Sequence, residues 1–346
     1  MEKRKLKWFD IAAWGVEGKG WEDTGKPFDR LSCKAEAIVT PEVWAGSRSP
    51  TGLCAHFNTD SPCVHARWTL EGDQLGEDNF NVCGFSGVDL YVFDVRSGAW
   101  RWAAAPPHFS LKDKNPDTPL LDGLSNAMRQ YRLYLPLRNP TLKVEIGVEP
   151  SALFEPVAPR RDRPLVYYGS SIAHGAYAAR SGLGCPQILG RRLNLPLVNL
   201  GFSGAAKMEP EMAGLIAELD ARVFVLDALP NMDSPQVKER AEIFIRAICE
   251  ARPRTPVVLV EDHPRMVAWL KPEETLACET KWRDFAAVHR ELLRRGFDNL
   301  SYVKGGKLFG ADNEASMDGV HPSDLGAMRM ADILGPAITK ALRRDA

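Results

Sequence analysis

Residues 164–175 read PLVYYGSSIAHG, an apolar run that gives way abruptly to small residues, with two serines side by side and a histidine three positions after the second. The run is short, apolar and closed by a glycine, which predicts a buried strand ending in a tight turn. The residues downstream keep the same rhythm. Helical PQILGRRL leads to strand-like LPLVNLG, then to amphipathic EPEMAGLIAEL and to ARVFVLDA. A long helix is expected from about Ser234 to Ala251, then TPVVLVED, a second long helix from about Glu273 to Arg295, LSYVKG, and a final helix from about Ser323 to Arg343. Strands alternating with helices predict a parallel sheet covered on both faces, a three-layer α/β/α domain over residues 156–346.

Upstream, the punctuation is different. Residues 1–155 are cut into short pieces, KAEAIVT, GLCAHFNT, CVHARWTLEG, VDLYVFDV, AWRWAAA, YRLYLPL and TLKVEIGV, separated by Gly, Asp, Asn and Pro. The alternation in VHARWTL and LKVEIGV predicts antiparallel strands of an all-β sandwich, jelly-roll-like in kind. Seven of the nine tryptophans, Trp8 to Trp102, lie in this half. Such rings can face a sugar or fill a core and a domain seam, and burial is the commoner use of tryptophan. The proline-rich, charged segment FEPVAPRRDRP, residues 154–164, reads as the linker.

The totals exclude some classes of function. With 346 residues and 45% hydrophobic content, the chain can build two cores. A formal charge of -1 and an isoelectric point near 6.7 supply no basic field for nucleic acid or an anionic membrane. The expected partner is small or neutral, and the oligomeric state stays open. No apolar run is long enough to span a bilayer, and MEKRKLKWFDIAAWG lacks the uninterrupted apolar stretch of a secretory leader. Seven cysteines without a CxxC pair fit reduced thiols, which points to the cytosol.

In an open α/β sheet, functional residues gather outside the carboxyl ends of the strands. Four segments are expected there: GSSI, GFSG, LPNM and DGVHP. The last is the sharpest. Asp318 and His321 are three apart in a tight loop, so the carboxylate can hold one imidazole nitrogen while the other faces outward as a general base. Asp318 could instead close an Asx-turn, and Asp262 with His263 keeps a metal reading open.

Together the four segments resemble the SGNH hydrolases, the GDSL-like esterase superfamily, over roughly residues 164–343, and they resemble its two-domain carbohydrate acetyl esterases in particular. The resemblance implies Ser171 as nucleophile in Gly169-Ser170-Ser171, with Ser170 where an aspartate is commoner. It implies an oxyanion hole from the Ser171 and Gly204 backbone N–H groups and the Asn231 amide, and a triad completed by Asp318 and His321. Leu229-Pro230-Asn231 departs from the usual Gly-x-Asn. His174 is expected to line the substrate cleft or to cap its loop. No cofactor or metal is implied. The expected activity is hydrolysis of short acyl esters, above all O-acetyl groups on a carbohydrate. A longer-chain lipid esterase, lysophospholipase or thioesterase is the alternative within the superfamily, and a carbohydrate-binding protein with a silent α/β domain is the alternative outside it.

Overall fold

The computed structural model describes residues 4–107 and 112–343. Its N-terminal part carries nine strands and two short helices: β1 (Lys7–Asp10), α1 (Pro41–Ser47), β2 (Cys54–Thr59), β3 (Val64–Leu70), α2 (Val82–Phe85), β4 (Asp89–Asp94), β5 (Ala99–Ala104), β6 (Asp117–Leu121), β7 (Arg129–Tyr134), β8 (Thr141–Val148) and β9 (Phe154–Val157). They form two antiparallel sheets, ordered β1-β8-β3-β6 and β5-β4-β7-β2-β9. Alternation does the work in β3, where Val64, Ala66, Trp68 and Leu70 point inward and the residues between them do not. Phe57, Tyr131 and Ile146 meet them in the core between the sheets.

The C-terminal part follows the expected βα rhythm: β10 (Leu165–Gly169), α3 (Ser171–His174), α4 (Cys185–Leu193), β11 (Leu197–Gly201), α5 (Pro210–Ala217), β12 (Val223–Asp227), α6 (Ser234–Ala251), β13 (Val257–Val260), α7 (Pro272–Arg294), β14 (Leu300–Val303) and α8 (Asp324–Arg343). The five strands are parallel in the order β11-β10-β12-β13-β14. Each of β10, β11 and β12 is buried along its whole length, because helices cover both faces. Val166, Tyr168, Phe224 and Leu226 pack toward α5, α6 and α7. Leu165, Tyr167, Val223 and Val225 pack toward α4 and α8. Among the described residues no helix is long and apolar enough to cross a membrane.

Two expectations need correction. KAEAIVT is not a strand: Cys33–Ala37 form a 3-10 turn that Ser32 caps by accepting from the Lys34 N–H, and of that stretch only Ala35 is buried. The linker also begins later than expected. Phe154–Val157 is β9, paired antiparallel with β2, and the Phe154 ring stacks on Phe9 with centroids 3.9 Å apart. Pro156 disguised it, and Pro119 likewise hid β6. Both strands are at sheet edges, where a missing N–H costs no ladder bond. The tryptophans divide between roles: Trp68 fills the sandwich core, Trp21 and Trp44 pack on the α/β core, and Trp102 is half exposed.

A buried cation joins the two parts. Arg30 has 1% of its surface exposed and donates to Ser49 O at 2.7 Å, Gly46 O at 2.5 Å, Asn199 O at 2.8 Å and Gly201 O at 3.1 Å. Its guanidinium also lies 4.9 Å from the Phe202 ring centroid. Burial, reinforced by Arg138, pulls its pKa down to about 9, so it stays charged at neutral pH. Arg30→Met should therefore strip four buried carbonyls of their donor and cost about 3 kcal/mol or more. Urea unfolding would measure this, and an unchanged midpoint would show that the seam does not depend on Arg30.

Candidate active site

The order of the parallel sheet reverses between β10 and β12, since the chain passes from β10 to β11 on one side and returns to β12 on the other. The turns after these strands therefore open a crevice at the switch point. Ser171 begins α3 directly after β10. Ser170, wholly buried, is the N-cap, and its Oγ accepts from the Ile172 N–H at 3.3 Å. As a first-turn residue, Ser171 has a backbone N–H with no acceptor inside its own helix.

The segment 315–323 brings His321 to Ser171 from the far side of the sheet. Gly319 sits at φ +86°, a conformation that glycine adopts without strain, and it lets the loop reverse. Ser316 Oγ donates to His321 O at 2.6 Å and accepts from Gly319 N at 2.9 Å, closing the loop on itself. The result is a continuous relay. Ser171 Oγ lies 2.8 Å from His321 Nε2, and His321 Nδ1 lies 2.7 Å from Asp318 Oδ2. Asp318 Oδ1 accepts from the backbone N–H groups of His321 at 2.7 Å and Val320 at 2.9 Å. Partial burial works against the charged carboxylate, but these bonds prevail and hold the Asp318 pKa below its ordinary value. An ionised Asp318 fixes the tautomer with the proton on Nδ1, leaving Nε2 to accept the proton of Ser171.

Gly204 and Asn231 come to the same crevice. Gly204, at φ +69° and exposed, sits at the tip of the turn after β11. Asn231 ends the short 3-10 turn Leu229–Asn231 after β12. Its Nδ2 donates to Phe202 O at 3.3 Å and Ala206 O at 3.1 Å, so the amide ties its own turn to the Gly204 turn. An amide nitrogen has two protons. Donation to a reacting oxyanion would take the proton from one of these bonds, and the longer bond to Phe202 is the weaker.

His174 does not line the cleft. It is 1% exposed, with Nε2 at 2.8 Å from Leu137 O and 2.9 Å from Ser49 Oγ, both from the sandwich part. Nδ1 is 3.3 Å from Ser203 Oγ, which itself accepts from Arg138 Nη1 at 2.7 Å. Burial, then the charges of Arg30 and Arg138, hold the imidazole well below its ordinary pKa and therefore neutral. Thus His174 ties α3 to the turn that carries Gly204.

Asp262 and His263 are engaged elsewhere. Asp262 pairs with Lys281 at 2.6 Å and accepts from Trp282 Nε1 at 2.8 Å, while His263 stacks on Phe309 with its Nδ1 2.9 Å from Pro264 O. Among the described residues the one grouping compact enough for a metal is Glu17, Cys54 and His56. It is crowded by cations: Arg160 reaches Glu17 at 2.7 and 2.9 Å, and Arg132 approaches to 3.9 Å.

Three residues of the site were missed by sequence reasoning. Tyr177 lies with its ring centroid 4.7 Å from that of His321. Arg138 supports Ser203 through the bond from its Nη1. Asp89, with no exposed surface, accepts from Arg180 Nη1 at 2.8 Å and from Gly182 N at 2.9 Å, fixing the loop after α3. An acid inside the otherwise apolar run VDLYV was the available signal for Asp89; nothing local marks the other two.

Two grooves flank the relay. One, of about 490 Å³, runs between Pro230 and Val320 past Met232, Leu276, Ala277 and Lys281, with neither Ser171 nor His321 in its wall. The other, of about 640 Å³, lies beyond Gly204 and is edged by Lys207, Glu209, Glu239 and Arg240.

Comparison with known proteins agrees with this architecture. The profile of the GDSL-like lipase/acylhydrolase family matches residues 162–339. A second profile, the N-terminus of SGNH-hydrolase-type esterases, matches residues 6–154 and is named for a GxDLY signature, present here as Gly87-Val88-Asp89-Leu90-Tyr91. A solved protein from Bacteroides ovatus described as GDSL-like is 28% identical, covers 98% of each chain and superposes with a TM-score of 0.91. The salicylyl-acyltransferase SsfX3 from a tetracycline biosynthetic pathway is 20% identical over 98% of each chain, with a TM-score of 0.76. A family two carbohydrate esterase from Cellvibrio japonicus is 10% identical over 98% of each chain, with a TM-score of 0.60, and shares the fold. No curated protein matches the chain.

The bonds that hold the Asp318 carboxyl below its ordinary pKa keep it charged and able to orient the imidazole. A general base works only in its unprotonated form, so kcat/KM should fall on the acid side. Asp318→Asn should lower kcat a hundredfold or more across the whole profile. A pH-independent rate, or an Asp318→Asn variant as fast as the parent chain, would count against the relay.

Proposed function

The chain belongs to the GDSL-like lipase/acylhydrolase family, and from that premise we propose that it is a serine esterase cleaving short acyl esters, with O-acetyl groups on a saccharide as its substrate class. The observation that carries this reading is the 2.8 Å contact of Ser171 Oγ with His321 Nε2. In this mechanism Ser171 attacks the ester carbonyl while His321 removes its proton and Asp318 stabilises the imidazolium. The tetrahedral oxyanion is received by the Ser171 and Gly204 N–H groups and the Asn231 amide. One such donor is typically worth about 3 kcal/mol. Collapse of the intermediate breaks the bond to the alcohol, which leaves with the proton from His321. Water then attacks the acyl-serine by the same steps in reverse roles, releasing the acid and restoring Ser171. Every proton has a donor and an acceptor among these residues, so the reaction needs no cofactor.

Two features support a short acyl group and a hydroxyl-rich alcohol. The apolar groove beside Asn231 does not open on Ser171 itself. The sandwich part also brings a charged pair to this side of the site, with Arg138 3.8 Å from Glu77 and bonded to Ser203. One observation favours a second reading, a longer acyl chain. The groove beside Asn231 is walled by Met232, Leu276, Ala277 and Val320, and Trp269, Leu270 and Leu276 are exposed along the same segment.

Ser171→Ala should abolish ester hydrolysis while Ser170→Ala keeps substantial activity, because Ser170 acts only as a cap; an organophosphonate should label Ser171 in mass spectrometry. The reverse pattern would move the nucleophile by one residue. On p-nitrophenyl acetate, butyrate and octanoate, kcat/KM should fall with chain length. Each methylene buried in a fitting groove would instead add about 0.8 kcal/mol, so a rise toward octanoate would replace the acetyl reading with the long-chain one.

A further inference from the structure

Tyr177 is unusual in both backbone and side chain. Its φ of +65° lies in the left-handed region, where a bulky side chain is strained and glycine is not. Its ring meets His321 at 4.7 Å and an interplanar angle of 65°, and on another side it meets Phe80 of the sandwich part at 5.5 Å. Strain of this kind persists only where the surroundings over-determine the chain. Here they do. Asp89 holds Arg180 and the Gly182 N–H, Ser181 Oγ donates to Gly87 O at 2.7 Å, and the Ala179 N–H donates to Asp324 Oδ1 at 2.9 Å.

The relay explains why a ring is wanted there. Asp318 and Ser171 grip the imidazole at Nδ1 and Nε2, nearly opposite corners of the ring, and two such bonds define an axis. They do little to stop the ring from tilting about that axis. A third contact from the side removes this freedom, and the Tyr177 ring, 4.7 Å away in a T-shaped arrangement, provides it.

We propose that Tyr177 is a positioning residue for His321, and that the sandwich part sets it there through Phe80 and the buried Asp89. The N-terminal part thereby belongs to the catalytic apparatus without touching a reacting atom. The backbone strain at residue 177 is the thermodynamic cost of that placement. The inference rests on His321 being the base.

The test uses the full chain and p-nitrophenyl acetate, with kcat, KM, the pH profile of kcat and the thermal midpoint measured for Tyr177→Gly, Tyr177→Asn, Tyr177→Phe and Phe80→Ala. Glycine and asparagine both accept a left-handed backbone, so one serves if the other folds poorly. Both should lower kcat about tenfold or more with KM within about twofold, while the thermal midpoint stays level or rises. Tyr177→Phe, which keeps the ring, should recover most of the loss. Phe80→Ala should lower kcat in the parent chain and add nothing in the Tyr177→Gly background. Wild-type kcat in Tyr177→Gly, a loss of kcat matched by a falling midpoint, or a phenylalanine variant as slow as the glycine one would each overturn the proposal. His321→Asn separates the two readings. If it stays active, the base assignment fails. If it is inactive while the Tyr177 variants are fast, only the positioning role fails.

Discussion

A guanidinium buried with no carboxylate hydrogen-bonded to it is costly unless each of its protons finds an acceptor. Arg30 meets that condition only where the two parts of the chain touch, since two of its carbonyl partners lie in and just after α1, in the N-terminal part, while the other two lie in β11. The turn that presents Gly204 starts at that point. Asp89 repeats the arrangement with the opposite sign: a carboxylate without exposed surface, neutralised by an arginine from the loop after α3. Neither group is fully satisfied by its own part of the chain. The seam is therefore specific as well as adhesive, and it ends on the two turns that carry Ser171 and Gly204.

That arrangement gives the crevice a rigid back and an open front. Behind Ser171, His174 and Ser203 pass hydrogen bonds from Arg138 to Leu137, with His174 and Leu137 buried and Arg138 and Ser203 partly so. In front, the side chains of Asp318 and His321 are each about one-fifth exposed. Preorganised donors act most strongly when they need not reorganise as charge develops. The exception is Asn231, whose two amide protons are already committed to the neighbouring turn, so in the proposed mechanism its donation would be shared between holding that turn and receiving negative charge.

What could be read from the sequence was whatever repeats or is local. The continuous apolar runs of β10 to β13, the amphipathic helices and the three-residue step from Asp318 to His321 all lie within one window, and the α/β/α layering came from them. The limits of α6 and α7 fell within one residue of their expected places because both have proline in the first turn and stop near their last apolar contact. KAEAIVT misled because alternation in composition does not become alternation in burial without a partner strand. β6 and β9 were hidden by prolines that an edge tolerates. Tyr177, Arg138 and Arg30 leave no local trace, since their meaning lies in contacts with residues 65 to 169 positions away. His174 was misjudged for the same reason: nearness to Ser171 along the chain says nothing of what covers it from the other part.

The prolines of the edge strands have a further consequence. An unpaired strand edge offers a row of donors and acceptors to any other extended chain, and β-rich proteins need some means of refusing it. Here one border of each antiparallel sheet carries a proline, Pro119 in β6 and Pro156 in β9. The residues that made these strands hard to recognise also make them poor templates, so on those two borders the protein is guarded against growing into larger sheets with its own kind.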